Sequence, residues 1–444
     1  MDETLLHEVV DACRRAGADA AEAVGAERRS LSVASREGAL EELEREEGRD
    51  LSLRVFVGRR QASVSGSDLS KGAVARLVER AVAMARLAPE DPYAGLAPPE
   101  LLARGPFPDL DLADPAEPTA EALEEAARRA DAAALAVPGV TNSDGGAASW
   151  SAGAHRFVTS EGFSGLSHAS WWSLSASAIA GEGAAMERGG EGRSTRWGAD
   201  LPSPEAIGAE GGRRAVAKLG ARKIASTTAP VLFDNRNSSS LLGPFLSAIS
   251  GPSLARGTSF LKDRLGEPVF SPGVTVVDDP FVRRGLGSSM WDDEGLPVVV
   301  RRLVEAGVLT TWLLNLASAR QLGMAPTGHA SRGGAGPSSV SAHNLVLQPG
   351  PESPEALMRA AGGRGLQVTS MFGPSLNANT GDWSAGVSGV WWEGGEPAYP
   401  VTEITVAGVL PDIYARLVPA SDLEVTSSVE APSILVDGLA IAGK

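Results

Sequence analysis

A chain of 444 residues with 43% hydrophobic content is long enough to bury sizeable cores in two or three domains. Its net charge of −15, with no basic stripe beyond pairs such as Arg59-Arg60 and Arg283-Arg284, argues against direct contact with nucleic acid, because phosphate binding is driven by Lys and Arg. No apolar run approaches the ~20 residues of a bilayer span, and the acidic start MDETLLHEVVDACRRAG lacks the basic and apolar regions of a signal peptide; with Cys13 as the one cysteine, this fits a reducing cytoplasm.

The 52 glycines and 29 prolines indicate many turns and short strands rather than a few long helices. Leu5, Leu6, Val9, Val10 and Cys13 recur at helical spacing behind Asp2 as a cap, so the chain opens with an amphipathic helix. Strands follow at Leu31–Ala34, Leu51–Val57 and Gln61–Ser65, and the acidic run Glu41–Glu47 between them reads as a solvated surface segment. A helix over Lys71–Leu87 places Val74, Leu77, Val78, Ala81 and Val82 on one side. Ala88 to Pro118 is proline-rich and aperiodic, and reads as an internal linker.

An alanine-rich helix spans Glu121–Ala136, a β segment rich in Gly, Ser and Trp covers Val140–Gly181, and a helix covers Pro204–Leu219. Past a boundary at Ala221–Ala229, strands are expected at Pro230–Asp234, Val298–Leu303, Val308–Trp312, Leu345–Leu347, Gly365–Thr369 and Ser433–Val436. Val390–Trp392 and Tyr399–Ile404 form the arms of a hairpin turned at Gly394-Gly395, where positive φ is needed. The expected fold is α+β: an N-terminal α/β module (1–87), a proline-rich linker (88–118), a middle helix plus β segment (119–222) and a C-terminal mixed domain rich in antiparallel strands (223–444).

Chemistry-bearing residues are sparse. His7-Glu8 begins an H-E-x-x-H pattern, but Asp11 stands where the second histidine is required, so a surface pair is expected. His155 and His168 lie in the β segment at no metal-ligand spacing, and His343 precedes a strand as a structural residue. His329 sits in the glycine-rich stretch Pro326–Gly336; functional loops are often built this way, the alternative being a flexible loop near an interface. Asp278-Asp279, Asp292-Asp293-Glu294 and Asp382 offer oxygens for a hard cation but read as turns or solvated loops, and no EF-hand pattern is present. Gly285-x-Gly287 and Arg332–Gly336 match no phosphate-binding loop, and Ser384 lies in no nucleophile elbow.

One stretch is more specific. Thr380–Gly408, TGDWSAGVSGVWWEGGEPAYPVTEITVAG, closely resembles the C-terminal signature of the TldD/PmbA family, once called modulators of DNA gyrase, and in particular its PmbA (TldE) branch. The run SLLGPFLSAISG followed by PSLARGTSFL is similar to that branch as well. The protease branch carries L-L-H-E-x-x-x-H on the corresponding helix, two histidines for zinc and a glutamate to activate water. Laid on Leu241-Leu242, this chain has Gly243, Pro244 and Ala248 at those positions, and the family's further cysteine ligand is missing.

The resemblance therefore implies no cofactor in this chain and zinc in a TldD-like partner. It implies a heterodimer that cuts unfolded peptides, in which this chain walls the chamber as a non-catalytic subunit. His329, Asn377, Asn379, Thr380 and Asp382, with the segments Phe372–Asp382 and Thr327–Gly336, are expected near that chamber, the asparagines and threonine donating to peptide backbone or only closing a tight turn. A stand-alone peptide-binding scaffold or homodimer, and a peptidase with an unrecognised site, remain alternatives.

Overall fold

The computed structural model describes residues 1–332, 336 and 338–444. Asp2 caps the first helix, α1 (Glu3–Arg15), its carboxylate accepting from the Thr4 N–H at 3.1 Å, and the helix buries Leu6, Val9, Val10 and Cys13. Three strands follow, β1 (Ala20–Arg36), β2 (Ala39–Val57) and β3 (Arg60–Gly66), then α2 (Lys71–Leu87) behind a Ser70 cap. The middle segment contributes α3 (Ala120–Leu135), β4 (Val140–Thr159), β5 (Ser164–Ala180), β6 (Glu187–Thr195) and α4 (Pro204–Val216).

All six strands form one antiparallel sheet in the order β3-β2-β1-β4-β5-β6. Residues 1–87 and 119–222 thus share a sheet through the β1–β4 ladder, Glu22↔Thr159 to Ser35↔Gly146. Alternation explains the layering. Ala21 and Ala23 pack under α1 and α2, while Leu31 and Val33, ten residues further along the same face, pack under α3 and α4. The opposite face carries Glu22 and Val24, beside Arg54 and Phe157 on the neighbouring strands, toward the C-terminal domain. The acidic run Glu41–Glu47 is exposed as expected, but it is strand: it pairs with β1 and extends past the β3 ladder, which begins at Leu51. Dense charge on such an edge discourages pairing with another chain.

The segment between α2 and α3 holds no helix or strand and straps the two halves together. Its Leu110 and Leu112 carbonyls accept from the Arg284 and Ser170 N–H groups at 2.8 and 3.0 Å, and the Ala103 N–H donates to Gly295 at 2.8 Å. Arg320 donates to the carbonyls of Tyr93, Gly95 and Leu96.

Beyond residue 226 come β7 (Thr227–Phe233), α5 (Leu242–Ala248), α6 (Gly251–Ala255), β8 (Val276–Asp279), β9 (Arg301–Glu305), β10 (Val308–Leu309), α7 (Leu316–Leu322), β11 (Ala330–Ser331), β12 (Ser339–Val340), β13 (Asn344–Leu347), α8 (Pro354–Ala360), β14 (Gly365–Leu376), β15 (Asp382–Glu393), β16 (Glu396–Val409), α9 (Leu410–Arg416), β17 (Val418–Pro419), β18 (Val429–Glu430) and β19 (Ile434–Ala442). One sheet runs β16-β15-β14-β7-β19-β17, and because β16 also pairs with β19 it closes into a barrel. A second sheet, β10-β9-β8-β13-β18, shares the largest core with it. The fold is α+β, as the sequence predicts, and no helix among the described residues is long and apolar enough to cross a membrane.

The two halves meet across a buried ion set. Glu22, 2% exposed, accepts from Arg54 of β2 at 3.5 Å and from Arg332 of the C-terminal domain, whose guanidinium also lies over the Phe157 ring.

The signature glycines have structural reasons. A Cβ at Gly389 would stand 1.8 Å from the Gln367 carbonyl oxygen of β14, whereas at Gly386 the three nearest atoms would all belong to the Phe372 ring. Gly389→Ala is therefore expected to cost about 3 kcal/mol in a denaturant titration, and Gly386→Ala clearly less because the ring can rotate away.

Candidate functional site

The segment that corresponds to the zinc-motif helix of the protease branch folds here as α5. After β7, the Asp234 carboxylate accepts from the N–H and Nδ2 of Asn237 at 3.0 and 2.6 Å, and a 3₁₀ turn over Ser238–Leu241 leads into α5. Neither Asn237 nor Ser238 caps it: Asn237 makes no side-chain cap bond, and Ser238 Oγ donates to the Ala431 carbonyl at 3.0 Å. Leu241, Leu242, Phe245, Ala248 and Ile249 are buried as an apolar stripe, with Leu246 partly buried against the same core.

Gly243 is exposed, and a Cβ there would meet nothing within 4 Å; Pro244 is half-buried, and Ala248 is 3% exposed. None of the three has a side-chain atom that can ligate a metal or move a proton. Zinc of the family's protease type does not fit this helix.

Beside it runs an open strand edge. β7 pairs with β14 only over Leu366–Val368, and the Asp234 N–H to Val368 carbonyl bond at 3.1 Å ends that contact. Among the described residues, β14 from Thr369 to Leu376 is paired on the β15 side alone. Met371 Sδ lies 3.4 Å from Ser240 Oγ, one turn ahead of Gly243, so this edge borders the helix start.

The β14–β15 turn closes on itself. The Asn377 N–H donates to the Asp382 carbonyl at 2.9 Å, the Gly381 N–H to the Asn377 carbonyl at 2.8 Å, and Asn377 Oδ1 accepts from the Asn379 N–H at 3.1 Å. Thr380 Oγ1 donates to Asp382 Oδ2 at 2.6 Å. The turn therefore brings Asn377, Asn379, Thr380 and Asp382 together, all exposed, with the Thr380 proton already engaged.

His329 belongs to a different constellation. It is 1% exposed; its Nδ1 lies 2.8 Å from Thr327 Oγ1 and its Nε2 lies 3.1 Å from Asp278 Oδ2. His343 Nδ1 lies 2.7 Å from the same Oδ2, and the His343 N–H donates to Oδ1 at 2.7 Å. Of the Thr327–Gly336 stretch, residues 333–335 lie outside the described residues.

The acids read as turns or solvated loops include three that are buried: Asp278 at 0%, Asp292 at 3% and Glu294 at 6% exposure. The physical reason is that converging loops spend their backbone donors on them. Asp292 accepts from the N–H groups of Glu294, Leu296 and Ala330 at 2.9 to 3.1 Å, and Glu294 accepts from Leu316 at 2.7 Å. No sequence signal marks the Asp278 centre, because its histidines lie 51 and 65 residues away.

Electrostatics separates these groups. Burial alone would raise Asp278, but hydrogen bonds from His329 and His343 outweigh it and hold the carboxyl at about 2. Burial pushes His329 below the usual histidine range against the pull of Asp278. Burial, and then Glu294, push Asp292 up to about 8 despite its backbone donors, and burial raises Glu294 too.

Three family models match the chain: PmbA/TldA metallopeptidase domain 1 over residues 21–85, the central domain over 113–219 and the C-terminal domain over 226–443. Metalloprotease PmbA of Escherichia coli is 38% identical over 428 residues, covering 96% of this chain and 93% of that protein. A PmbA homologue of Haemophilus influenzae is 35% identical over 436 residues, covering 98% and 94%. A crystal structure from Bacteroides thetaiotaomicron, named for modulation of DNA gyrase, superposes with a TM-score of 0.92 at 27% identity over 100% of this chain and 99% of that one. TldE of Thermococcus kodakarensis, at 20% identity and a TM-score of 0.87, shares the fold.

Because Asp278 is ionised more easily in the folded state, its contribution is present above the unfolded value near 4 and is lost as pH falls toward 2. Urea titrations across that window should lose about 2 kcal/mol from this group, and Asp278→Asn should flatten that part of the acid limb.

Proposed function

The chain belongs to the PmbA/TldA metallopeptidase family, and on that premise we propose that it is the PmbA/TldE-type subunit of a TldD/TldE-type metalloprotease. In this role it supplies no catalytic zinc. It encloses unfolded or extended peptide substrates, in the cytoplasm, opposite a zinc-bearing TldD-like subunit. The observation that carries the proposal is the pairing of an intact helix scaffold with Gly243, Pro244 and Ala248 at the motif positions, so that packing is kept and the catalytic groups are not.

The chemistry of substrate handling follows from the open edge of β14. An extended peptide laid along Thr369–Leu376 would exchange main-chain hydrogen bonds with it, which suits unfolded segments of varied sequence and excludes folded ones. The exposed Phe372, 52% accessible, offers apolar contact there, and the Asn377–Asp382 turn stands at the end of the same strand. His329 is buried away from any such peptide and takes no direct part. With a net charge of −15 the chain has no electrostatic footing for nucleic acid, so a gyrase name implies no DNA contact here.

The test is hydrolysis of an unstructured peptide by this chain, by a zinc-bearing TldD-like protein and by the mixture. Cleavage by the mixture at least tenfold above either protein alone is expected. Cleavage by this chain alone, abolished by changing one acidic residue, would make it a peptidase with its own site. Peptide binding without cleavage or partner would make it a scaffold.

Within the proposal Gly243 is catalytically idle. Gly243→Ala should leave cleavage by the mixture unchanged while raising unfolding stability by up to about 1 kcal/mol, as alanine replaces glycine on an exposed helix face. Ala248→His should instead destabilise by about 1–3 kcal/mol, since the imidazole would enter a packed core.

A further inference from the structure

Three ligand-type side chains meet at one buried point that the proposed function leaves unused. Asp278 comes from β8, His329 immediately precedes β11 and His343 immediately precedes β13, so three separate segments deliver them. Their candidate ligand atoms all lie within 4.8 Å of one another, and the side chains are 0%, 1% and 9% exposed. We propose that Asp278, His329 and His343 form a binding site of this chain's own for a divalent transition metal of the zinc type, structural rather than hydrolytic.

The donor set points to that class of ion. Two imidazole nitrogens and one carboxylate oxygen suit zinc and its neighbours, whereas calcium and magnesium prefer oxygen alone. With metal–ligand bonds of about 2.0–2.1 Å, tetrahedral ligands stand roughly 3.3 Å apart. The separations of 3.1 Å (Nε2 of His329 to Oδ2) and 2.7 Å (Nδ1 of His343 to Oδ2) need open by only a few tenths of an ångström, or slightly more at His343.

The surroundings orient each ligand. Thr327 Oγ1 is 2.7 Å from the Leu314 N–H and 3.3 Å from the Leu314 carbonyl oxygen, so its hydroxyl can donate to that carbonyl and accept from Nδ1–H of His329. In the tautomer a metal would select, that arrangement would turn the Nε2 lone pair of His329 toward the site; without metal, Nε2–H donates to Asp278. The His343 N–H occupies Oδ1 of Asp278, which leaves Oδ2 as the inward oxygen. Partners of this kind on the far atoms of the ligands are the usual second layer of a metal centre.

The β8–β13 ladder, with Asp278 opposite Leu345 and Asp279 opposite Asn344, fixes two of the three positions. Arg301, whose Nε donates to the Thr327 carbonyl at 3.1 Å, brings a positive charge nearby and works against a cation, so the site is weaker than an all-anionic one. A hydrolytic zinc needs an open position for water and substrate, and a centre this buried does not provide it.

Without metal, the same atoms form a carboxylate that accepts from two imidazole N–H groups, and titration with metal alone separates the two states. Chain stripped with a chelator is titrated with Co²⁺ and Zn²⁺, followed by visible absorption and by metal content after gel filtration. One equivalent bound, with d–d bands of a nitrogen-ligated Co²⁺ that Zn²⁺ abolishes, is the expected result. His329→Ala and His343→Ala should each weaken binding more than tenfold, and Thr327→Val, which only loosens a ligand, about tenfold. If a variant does not fold, the wild-type titration decides: folded chain that takes up no stoichiometric metal and shows no bands overturns the site. Uptake that survives both histidine substitutions in folded protein overturns it as well. Neither result touches the proposed subunit role, which is read with a partner and a peptide.

Discussion

A buried carboxylate sits at the centre of the contact between the two halves of the molecule. Glu22 sits on the face of β1 turned away from the helices, between Arg54 of the neighbouring strand and Arg332 of the C-terminal domain. Removing one partner of such a buried set leaves an uncompensated charge, which is strongly destabilising, on the order of 3–5 kcal/mol. The same Arg332 accepts its place from Asp293, whose Oδ2 takes the Arg332 N–H at 2.6 Å, while the adjoining Asp292 and Glu294 hold the starts of β11 and α7. Interdomain docking, the path of the 292–294 loop and the position of His329 are thus one connected problem in satisfying buried donors and acceptors.

The seam between the halves is packed as well as charged. The strap from 88 to 119 lends its backbone to both sides, and the aromatic cluster of Phe157, Phe163 and Trp291 fills the seam beneath it. In the C-terminal half, α5 and its flanks bury Leu241, Leu242, Phe245, Ala248 and Ile249 in the largest core, while Gly243, Pro244 and Ala248 offer no metal-ligating side chain. Packing leaves an outward-facing position such as Gly243 free to vary and constrains a core-facing one such as Ala248.

Much of the fold was legible in the sequence, for stated reasons. α1 and α2 carry one-sided apolar stripes and polar caps at Asp2 and Ser70, and the glycine pair at 394–395 marks its hairpin by positive φ. The long strands were only partly legible. β1 buries Ala21 and Ala23 at one end and Leu31 and Val33 at the other, but Gly25, Glu27 and Arg29 stand between them on the same face and break the alternation. In β2 the run Glu41–Glu47 hid a strand behind charge that serves to protect an edge.

The site was legible only where a motif could be compared position by position, as at Gly243, Pro244 and Ala248. The turn at Asn377–Asp382 is where its composition places it, whereas the Asp278, His329 and His343 centre exists only in three dimensions, assembled by strand pairing across long sequence separations. Buried acids such as Asp292 defeat a reading by residue type, because their partners are backbone N–H groups that carry no sequence signature.

If this chain is half of a hetero-complex, as proposed, it must combine with its partner in solution. Native mass spectrometry of the chain mixed with a zinc-bearing TldD-like protein from the same cell addresses it most directly. A one-to-one complex that forms at the expense of both free proteins is expected. Two populations that never combine, with this chain alone or paired only with itself, would contradict it.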